Sequence, residues 1–231
     1  MAKTYAFTDI HGMYDLWAQI KDYCAEDDTI YFLGDACDRG PDGVRIMKEL
    51  LAAPRVIYLK GNHEDMMIEE LTTLLNGQPL QSHWMTQGGN TTLDSLLLET
   101  DRELMNLYYS IQNLPTCALY TNTKGEDIYL SHSGFYSPCG QDRWKRYNYP
   151  NIEQAYLWDR HVLQHTNWSP KHPNVYCVHG HSPVQIIFNK EEPVVYCESH
   201  RVDLDTAPYA TNSIYLYDLD ERKIEAVFKT V

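Results

Sequence analysis

Short apolar runs alternate with amphipathic stretches along the first third of the chain. Each run is followed by a segment whose apolar residues recur at helical spacing, such as Val44, Met47 and Leu51 in the second segment. Strands that alternate with helices in this way predict a parallel sheet in an α/β fold. The strands predicted in this region are residues 4–8, 29–33 and 55–59.

The remainder of the chain predicts a helical middle and then a strand-rich region. Residues 80–113 have a helical pattern that Gly88 and Gly89 interrupt, and residues 152–163 predict a further helix. We therefore expect a mixed α/β (α+β) protein with more than one sheet layer. No repeat or flexible linker divides the sequence, so we expect one domain over residues 1–231. The later strands are predicted at residues 117–120, 128–131, 175–178, 194–196, 214–217 and 224–228.

The charge of the chain restricts the partners that it can bind. Its 32 acidic and 19 basic residues give a formal net charge of −13. A surface this negative repels nucleic-acid phosphates, so we expect no duplex partner. The same field repels a phosphorylated substrate, unless metal ions or arginines supply positive charge at the site.

Cysteine spacing and hydropathy exclude further classes of protein. The six cysteines are scattered without a C-x-x-C pair, which favours reduced, buried thiols over thiolate zinc sites or redox dithiols. No apolar stretch is long enough to cross a bilayer. The first residues lead into a predicted strand without an apolar signal region. We therefore expect a cytoplasmic protein with no membrane partner.

Side chains that can bind metal follow five of the predicted strands at the point where each strand ends. Sites in open α/β sheets form beyond the carboxyl ends of the strands, so these side chains should converge. Asp35 and Asn62 also follow their strands at nearly equal intervals, as successive βαβ units require. The residues in these positions are Asp9, His11, Asp35, Asn62, His63, His132, His179 and His181.

The donor types in this set indicate the chemistry. Carboxylate, carboxamide and imidazole groups without thiolates suit Mn²⁺, Fe or Zn²⁺, and Mn²⁺ is our first expectation. A carboxylate such as Asp35 can bridge two metal ions. Paired metals roughly 3.5–4 Å apart hold the attacking and leaving oxygens of an in-line displacement and activate the water that they share. A serine or cysteine nucleophile is then not required.

Three ordered motifs resemble those of the phosphoprotein phosphatases, within the calcineurin-like metallophosphoesterases. They are D-x-H-G at residues 9–12, G-D-x-x-D-R-G at 34–40 and G-N-H-E at 61–64. The later segments 131–134, 180–183, 84–92 and 203–206 are similar to those of compact bacterial and phage members, so the resemblance spans nearly the whole chain. It implies a four-layer αββα sandwich of two mixed sheets flanked by helices.

The resemblance also implies two divalent metal ions and assigns their ligands. Asp35 would be shared between the two ions. The ligands of the first would be Asp9, His11 and Asp35, and those of the second Asp35, Asn62, His132 and His181.

The same resemblance gives four further residues a role in catalysis. His63 would protonate the leaving alkoxide, and Asp38 would fix the orientation of its ring. Arg39 would bind the phosphate oxygens, since a guanidinium fork matches them better than a lysine point charge. Arg160, in the sequence Trp-Asp-Arg, fits the place of a second phosphate-binding arginine.

Three positions depart from the family pattern or leave a choice open. Cys37 lies inside the second motif, where an aliphatic residue is usual, and Ala207 follows Asp-Thr, where glycine is frequent. His179 lies two residues before His181 and is the alternative ligand, although the Gly-His-Ser context favours His181.

An aromatic and basic stretch lies between the last two histidine segments, and two interpretations of it stay open. It is either a substrate-facing loop that stacks a nucleobase or a phosphotyrosine ring, or an aromatic layer on a sheet edge with a solvated basic turn. Its residues include Tyr136, Trp144, Tyr147, Tyr149, Tyr156, Trp158 and Trp168, with Arg143, Lys145 and Arg146.

The leading hypothesis is a protein phosphatase that acts on phosphoserine, phosphothreonine or phosphotyrosine. The alternative is a dinucleoside polyphosphate hydrolase such as diadenosine tetraphosphatase, but those enzymes usually have other residues in place of Asp38 and Glu64. Other small phosphomonoesters or diesters are further candidates. A non-catalytic scaffold is disfavoured, because the sequence retains every expected ligand. The oligomeric state stays open, and a monomer is compatible with the sequence.

Overall fold

Ten strands form two mixed sheets in the computed structural model, which describes residues 2–79, 82–134, 145, 148–161, 175–190 and 192–230. In chain order the strands are β1 Thr4–Phe7, β2 Thr29–Phe32, β3 Val56–Tyr58, β4 Cys117–Thr121, β5 Asp127–Ser131, β6 Val175–His179, β7 Tyr196–Glu198, β8 Arg201–Asp203, β9 Ser213–Asp218 and β10 Lys223–Lys229.

Each sheet has three parallel strands and two antiparallel pairings, which lie on one side of the first sheet and at both edges of the second. The first sheet has the order β10-β9-β1-β2-β3, and β1, β2 and β3 are parallel. The second sheet has the order β4-β5-β6-β8-β7, and β5, β6 and β8 are parallel. The carboxyl ends of parallel strands lie at one edge of a sheet, and this arrangement sets where the loops with ligand-type residues begin.

Nine α-helical segments and one π-helical turn connect the described strands. The π-helical turn covers Met85–Gly89 and joins two of the helices. The helices are α1 Tyr14–Tyr23, α2 Gly43–Ala52, α3 Asn62–Leu75, α4 Ser82–Trp84, α5 Asn90–Leu96, α6 Asp101–Gln112, α7 Ile152–Trp158, α8 Val184–Ile187 and α9 Pro208–Thr211. Each helix within the described ranges is too short or too polar to span a lipid bilayer.

Alternation of side chains along the strands produces separate apolar layers. In β1, Phe7 lies in the core beneath the helices, where it stacks on Trp17 with ring centroids 5.8 Å apart, whereas Ala6 lies in the core between the sheets. On the outer face of the second sheet, Tyr156 of α7 packs on Tyr129 at 6.4 Å. The layers therefore run helices, sheet, sheet, helix, which confirms the predicted α/β sandwich with two mixed sheets.

Two strands differ from the sequence prediction. The strand expected at residues 194–196 lies at Tyr196–Glu198, and Arg201–Asp203 was not predicted at all. Two of the three residues of β8 are charged, so the segment lacks an apolar run. Its arginine is nevertheless buried, because Nε of Arg201 donates to Oε2 of Glu198 at 2.8 Å.

Two helices also differ in detail. Leu51 was expected on the buried face of α2, but it is 36% exposed, and Leu50 is buried with Ile46 instead. The buried face of α2 therefore keeps Val44 and Met47, as predicted, but continues through Leu50 and not through Leu51. The helix predicted over residues 152–163 ends at Trp158, because the next residue is extended.

Glu64, in the first turn of α3, ties together the loops that follow β2 and β3. Its side chain is fully buried. The carboxylate accepts backbone N–H bonds from Asp35 at 2.8 Å, Ala36 at 2.6 Å and Gly61 at 2.8 Å. The hydroxyl of Tyr58 donates a fourth bond at 2.8 Å. Bonds to a charged acceptor are stronger than neutral ones, so this carboxylate fixes both loops.

We expect Glu64→Gln to lower the free energy of unfolding by about 3 kcal/mol, because the amide presents an N–H₂ group to backbone donors inside a buried site. Glu103 is the matched control. It occupies the same third position of α6 and accepts the N-cap N–H of Thr100, but in an exposed setting. Glu103→Gln should have a much smaller effect in the same urea titration. Equal losses in the two variants would contradict the role given to Glu64.

Candidate active site

Loops from both sheets meet beyond the carboxyl ends of their parallel strands. The loop after β1 continues the pairing with the loop after β2, since the N–H of Asp9 donates to Gly34 O at 3.0 Å and that of His11 donates to Asp35 O at 2.9 Å. The structure brings all ten predicted site residues to this place. Eight are buried, Arg39 is half-buried and Arg160 is exposed.

The six predicted metal ligands place their donor atoms against one another. Oδ2 of Asp35 lies 3.6 Å from Nε2 of His11, and its Oδ1 lies 3.5 Å from Nε2 of His132. Oδ1 of Asn62 lies 2.8 Å from Nε2 of His132 and 2.8 Å from Nδ1 of His181. Atoms of Asp9, Asp35 and His132 also lie within 4.8 Å of one another. Asp35 is therefore central to the cluster.

Backbone carbonyls orient two of the imidazoles. Nδ1 of His11 lies 2.8 Å from Cys37 O, and Nδ1 of His132 lies 2.8 Å from Leu33 O. A ring that donates Nδ1–H to a carbonyl presents the lone pair of Nε2 on its other side, as metal-ligating histidines do. Burial lowers the pKa of His132, and lowers that of His11 and His181 well below the usual range. The neutral imidazole needed for coordination is therefore favoured.

The cluster fits divalent cations. Burial, followed by the charges of Asp9 and Glu64, raises the pKa of Asp35 well above its usual range, and a cation would relieve both effects. Nε2 of His181 is buried and has no hydrogen-bond partner among the described residues. Oxygen and imidazole donors without a thiolate match Mn²⁺, Fe or Zn²⁺. The two candidate ligand groups, which share Asp35, are His11 with Asp35 and His63, and Asp9 with Asp35 and His132.

His63 differs from His11 and His132 because its Nδ1 contacts a carboxylate and not a backbone carbonyl. Its Nδ1 lies 2.7 Å from Oδ2 of Asp38, while its Nε2 lies 3.8 Å from Oδ2 of Asp35. Burial raises the pKa of Asp38 to about 6, and hydrogen bonds from Thr92 and Trp84 limit this rise. With Nδ1 held by a carboxylate, Nε2 is the ring nitrogen that faces the cluster and could exchange a proton there.

Two arginines reach the cluster from different elements. Arg39 places Nη1 3.0 Å from Nε2 of His11 and Nη2 3.2 Å from Nε2 of His63. Its guanidinium carbon also lies 4.2 Å from the centre of the Tyr209 ring. Arg160, just after α7, donates from Nη1 to His181 O at 3.2 Å. Both guanidinium groups therefore supply positive charge beside a cluster of carboxylates.

The backbone of the site is strained. Non-glycine residues seldom adopt a left-handed conformation, each such residue costs of order 1–3 kcal/mol, and the strain concentrates at functional sites. Six of the ten predicted residues have a positive φ, namely Asp9 at 54°, His11 at 43°, Asp35 at 63°, Asp38 at 69°, Arg39 at 67° and His181 at 72°.

Of the two late histidines, His181 is the one beside Asn62. His179 lies outside the cluster, with Nδ1 3.2 Å from Gly180 O and 3.7 Å from Oδ2 of Asp203. The assignment of His181 as the ligand therefore agrees with the geometry.

Sequence reasoning missed several residues that shape the site. Asp205 is buried, and burial followed by the charge of Asp9 raises its pKa well above the usual range. The motif at residues 203–206 marked this segment but not which member faces the site. Ala207, where the family often has glycine, adopts a left-handed φ of 46°. No motif or spacing in the sequence pointed to Tyr209, because a single tyrosine forms no recognisable pattern.

Most of the aromatic and basic stretch lies outside the described residues, and both interpretations of it stay open. Among its described members, Trp158 packs edge-on to His181 with ring centroids 6.2 Å apart, and the hydroxyl of Tyr149 donates to Trp158 O at 3.3 Å. Lys145 is exposed. The members outside the described ranges are Tyr136, Arg143, Trp144, Arg146, Tyr147 and Trp168.

We expect Gly180→Ala to weaken metal binding by at least about tenfold, because the added Cβ would overlap Oδ2 of Asp9 and lie 2.5 Å from Oγ1 of Thr8. Metal titration of the apo-protein measures the change. Gly125→Ala is the control, since its Cβ would meet no atom within 4 Å; its φ of 77° costs only about 1 kcal/mol of stability. Wild-type affinity in Gly180→Ala would contradict this account of Asp9.

Comparisons with known proteins identify the family of the chain. Residues 2–204 match the family model described as calcineurin-like phosphoesterase. The symmetrical bis(5'-nucleosyl)-tetraphosphatase of Legionella pneumophila (strain Lens) is 27% identical over 222 residues, which cover 91% of this chain and 75% of that protein. Serine/threonine-protein phosphatase 2 of Escherichia coli (strain K12) is 30% identical over 118 residues, covering 49% of this chain and 50% of that protein.

A solved structure has a similar fold. A protein serine/threonine phosphatase from Saccharomyces cerevisiae superposes with a TM-score of 0.65 at 14% identity, over 100% of this chain and 80% of that one. At this identity the likeness concerns the fold alone. The family model covers most of the chain and includes all ten predicted site residues. The chain belongs to the calcineurin-like phosphoesterase family and is a hydrolase that acts on phosphate esters.

Proposed function

We propose that this protein is a metal-dependent phosphatase for monoesters with an alkoxide leaving group, phosphoserine and phosphothreonine residues of proteins foremost and phosphotyrosine as a further substrate. The observation that carries the proposal is the contact of 2.7 Å between His63 Nδ1 and Asp38 Oδ2, beside the cluster of donor atoms. A buried, oriented imidazole next to the metal ligands is placed to act as a general acid.

The need for such an acid depends on the leaving group. An alkoxide is a strong base and leaves readily only when it is protonated as the P–O bond breaks. A nucleotide phosphate is a much weaker base and leaves without a proton. The His63–Asp38 pair therefore favours a serine or threonine ester over a dinucleoside tetraphosphate.

Two divalent ions complete the proposed site, with Mn²⁺ expected first and Fe or Zn²⁺ as alternatives. When bound, such ions lower the pKa of a coordinated water and offset charge on the phosphoryl oxygens. The residues proposed to hold the first ion are Asp9, His11 and Asp35, and those proposed for the second are Asp35, Asn62, His132 and His181.

Arg39 and Arg160 are proposed to bind the phosphate oxygens. Their guanidinium forks can each donate two parallel hydrogen bonds to a phosphate. The Tyr209 ring under Arg39 restricts the directions that this side chain can take. Together the two arginines would orient the ester for attack opposite the leaving oxygen that faces His63.

Hydrolysis of dinucleoside tetraphosphates is the second candidate function. It is favoured by the Legionella pneumophila relative, whose name states this activity and which aligns with most of the chain. The partial match to a serine/threonine-protein phosphatase supports the first candidate. A single domain and a cytoplasmic location stay predictions from the sequence, and the oligomeric state stays open.

A direct rate comparison distinguishes the two candidates. With Mn²⁺, we expect kcat/KM at least roughly tenfold higher on phosphoserine, phosphothreonine and phosphotyrosine peptides than on diadenosine tetraphosphate, about 1.4 kcal/mol of transition-state preference. A higher kcat/KM on diadenosine tetraphosphate than on the peptides would instead support dinucleoside polyphosphate hydrolysis as the function.

His63→Asn tests the proposed acid. We expect kcat on a phosphoserine peptide to fall by roughly 10²–10⁴-fold while the bound metal, measured by elemental analysis, stays at the wild-type level. His200→Asn serves as the control, because His200 lies just before the amino end of β8, whereas the site loops follow the carboxyl ends of the parallel strands; this variant should retain both activity and metal. Loss of metal in His63→Asn would make this residue a ligand, and full activity would remove its role as an acid.

A further inference from the structure

The segment from α4 to α5 holds Asp38 and Arg39 through four hydrogen bonds. Nε1–H of Trp84 donates to Oδ2 of Asp38 at 2.9 Å, and the hydroxyl of Thr92 donates to Oδ1 at 2.7 Å. The backbone N–H of Asp38 donates to Oγ1 of Thr92 at 2.8 Å, and that of Arg39 donates to Gly88 O at 3.1 Å. One segment thus holds both the carboxylate and the strained backbone that carries it.

This contact leaves little freedom for movement. Trp84 is 1% exposed, and a Cβ at Gly89 would lie 2.5 Å from its indole ring. A Cβ at Gly88, where φ is 99°, would lie 2.9 Å from the side chain of Arg39. The two glycines lie in the π-helical turn, which is kinked at Gly88 because the backbone of that residue is not helical. Larger residues at these positions would push the indole or the arginine away.

We propose that Trp84 and Thr92 are positioning residues for proton transfer by His63, an inference that rests on the proposed function. The carboxylate torsion of an aspartate is broad, so a single bond to His63 would let Asp38 rotate. The indole N–H and the threonine hydroxyl each fix one oxygen. Oδ2 then faces Nδ1 of His63, and Nε2 of the same ring faces the leaving group.

The step that these two donors assist is specific. The P–O bond to the leaving group breaks, its electron pair stays on the leaving oxygen, and that oxygen takes the proton from Nε2 of His63. A water oxygen forms the new P–O bond and gives up one proton to solvent, and His63 regains one proton from solvent. Misplacing the acid therefore slows esters with basic leaving groups and spares those whose leaving group needs no proton.

The test compares two substrates and two tryptophans. The substrates are a phosphoserine peptide and 4-nitrophenyl phosphate, whose leaving group is weakly basic. Trp84→Phe keeps an aromatic ring and removes the N–H. Trp17→Phe is the matched control. Trp17, in α1, is also 1% exposed, and its Nε1–H donates to Glu49 of α2 at 3.0 Å. Both variants are assayed with Mn²⁺ as full-length protein.

We expect Trp84→Phe to lower kcat on the phosphoserine peptide roughly tenfold, with KM unchanged and with 4-nitrophenyl phosphate hydrolysed at nearly the wild-type rate. Trp17→Phe should change neither substrate selectively. Thr92→Val should reproduce the selective loss, and Thr92→Ser, which keeps the hydroxyl, should restore the rate. This second pair tests the same positioning if Trp84→Phe does not fold.

His63→Asn, assayed in parallel, distinguishes failure of the positioning role of Trp84 and Thr92 from failure of the proposed function. If His63→Asn loses the peptide selectively while Trp84→Phe and Thr92→Val lose both substrates equally or neither, the positioning role is overturned and the proposed function stands. If His63→Asn itself shows no dependence on the leaving group, the proposed acid and the inference built on it both fail.

Discussion

The geometry of the site depends on one buried carboxylate, that of Glu64. It accepts backbone N–H groups from Asp35 and Ala36, which follow β2, and from Gly61, which follows β3. Parallel strands bring these loops to the same edge of the sheet, but they do not set the loops at a fixed distance. Glu64 does so from the first turn of α3, where the helix N-terminus also favours negative charge. It therefore fixes the backbone at Asp35 and the start of the helix that carries His63.

Strain and charge concentrate in the same few residues. Asp35 and Asp38 hold a left-handed backbone, and in each case the backbone N–H donates to a buried side chain, Glu64 or Thr92. Such a conformation persists only where its surroundings fix it. Buried carboxylates that repel one another add a further cost, which bound cations would offset. In the proposed site, such cations and the two arginines would supply the positive charge that a strongly acidic protein needs to accept a dianionic phosphate ester.

The sequence predicted the site better than it predicted the contacts that shape it. Asp9, Asp35 and Asn62 were located because their motifs follow predicted strands, and parallel topology brings such positions together. The hydrogen bond from Trp84 to Asp38 was not predictable. It joins residues 46 positions apart in the sequence, and it depends on the kinked π-helical turn after Trp84. In β8, burial of charged residues hid a strand from any apolar pattern. Local periodicity therefore gives the layers and the strand ends, whereas side-chain direction needs the tertiary structure.

The central claim is that six side chains hold two divalent cations that share Asp35. Anomalous X-ray diffraction from crystals grown with Mn²⁺, recorded at the manganese absorption edge, tests it most directly. The account predicts two peaks, one beside Asp9 and His11 and the other beside Asn62, His132 and His181, with His63 bound to neither. A single peak, or a peak within bonding distance of His63, would contradict it.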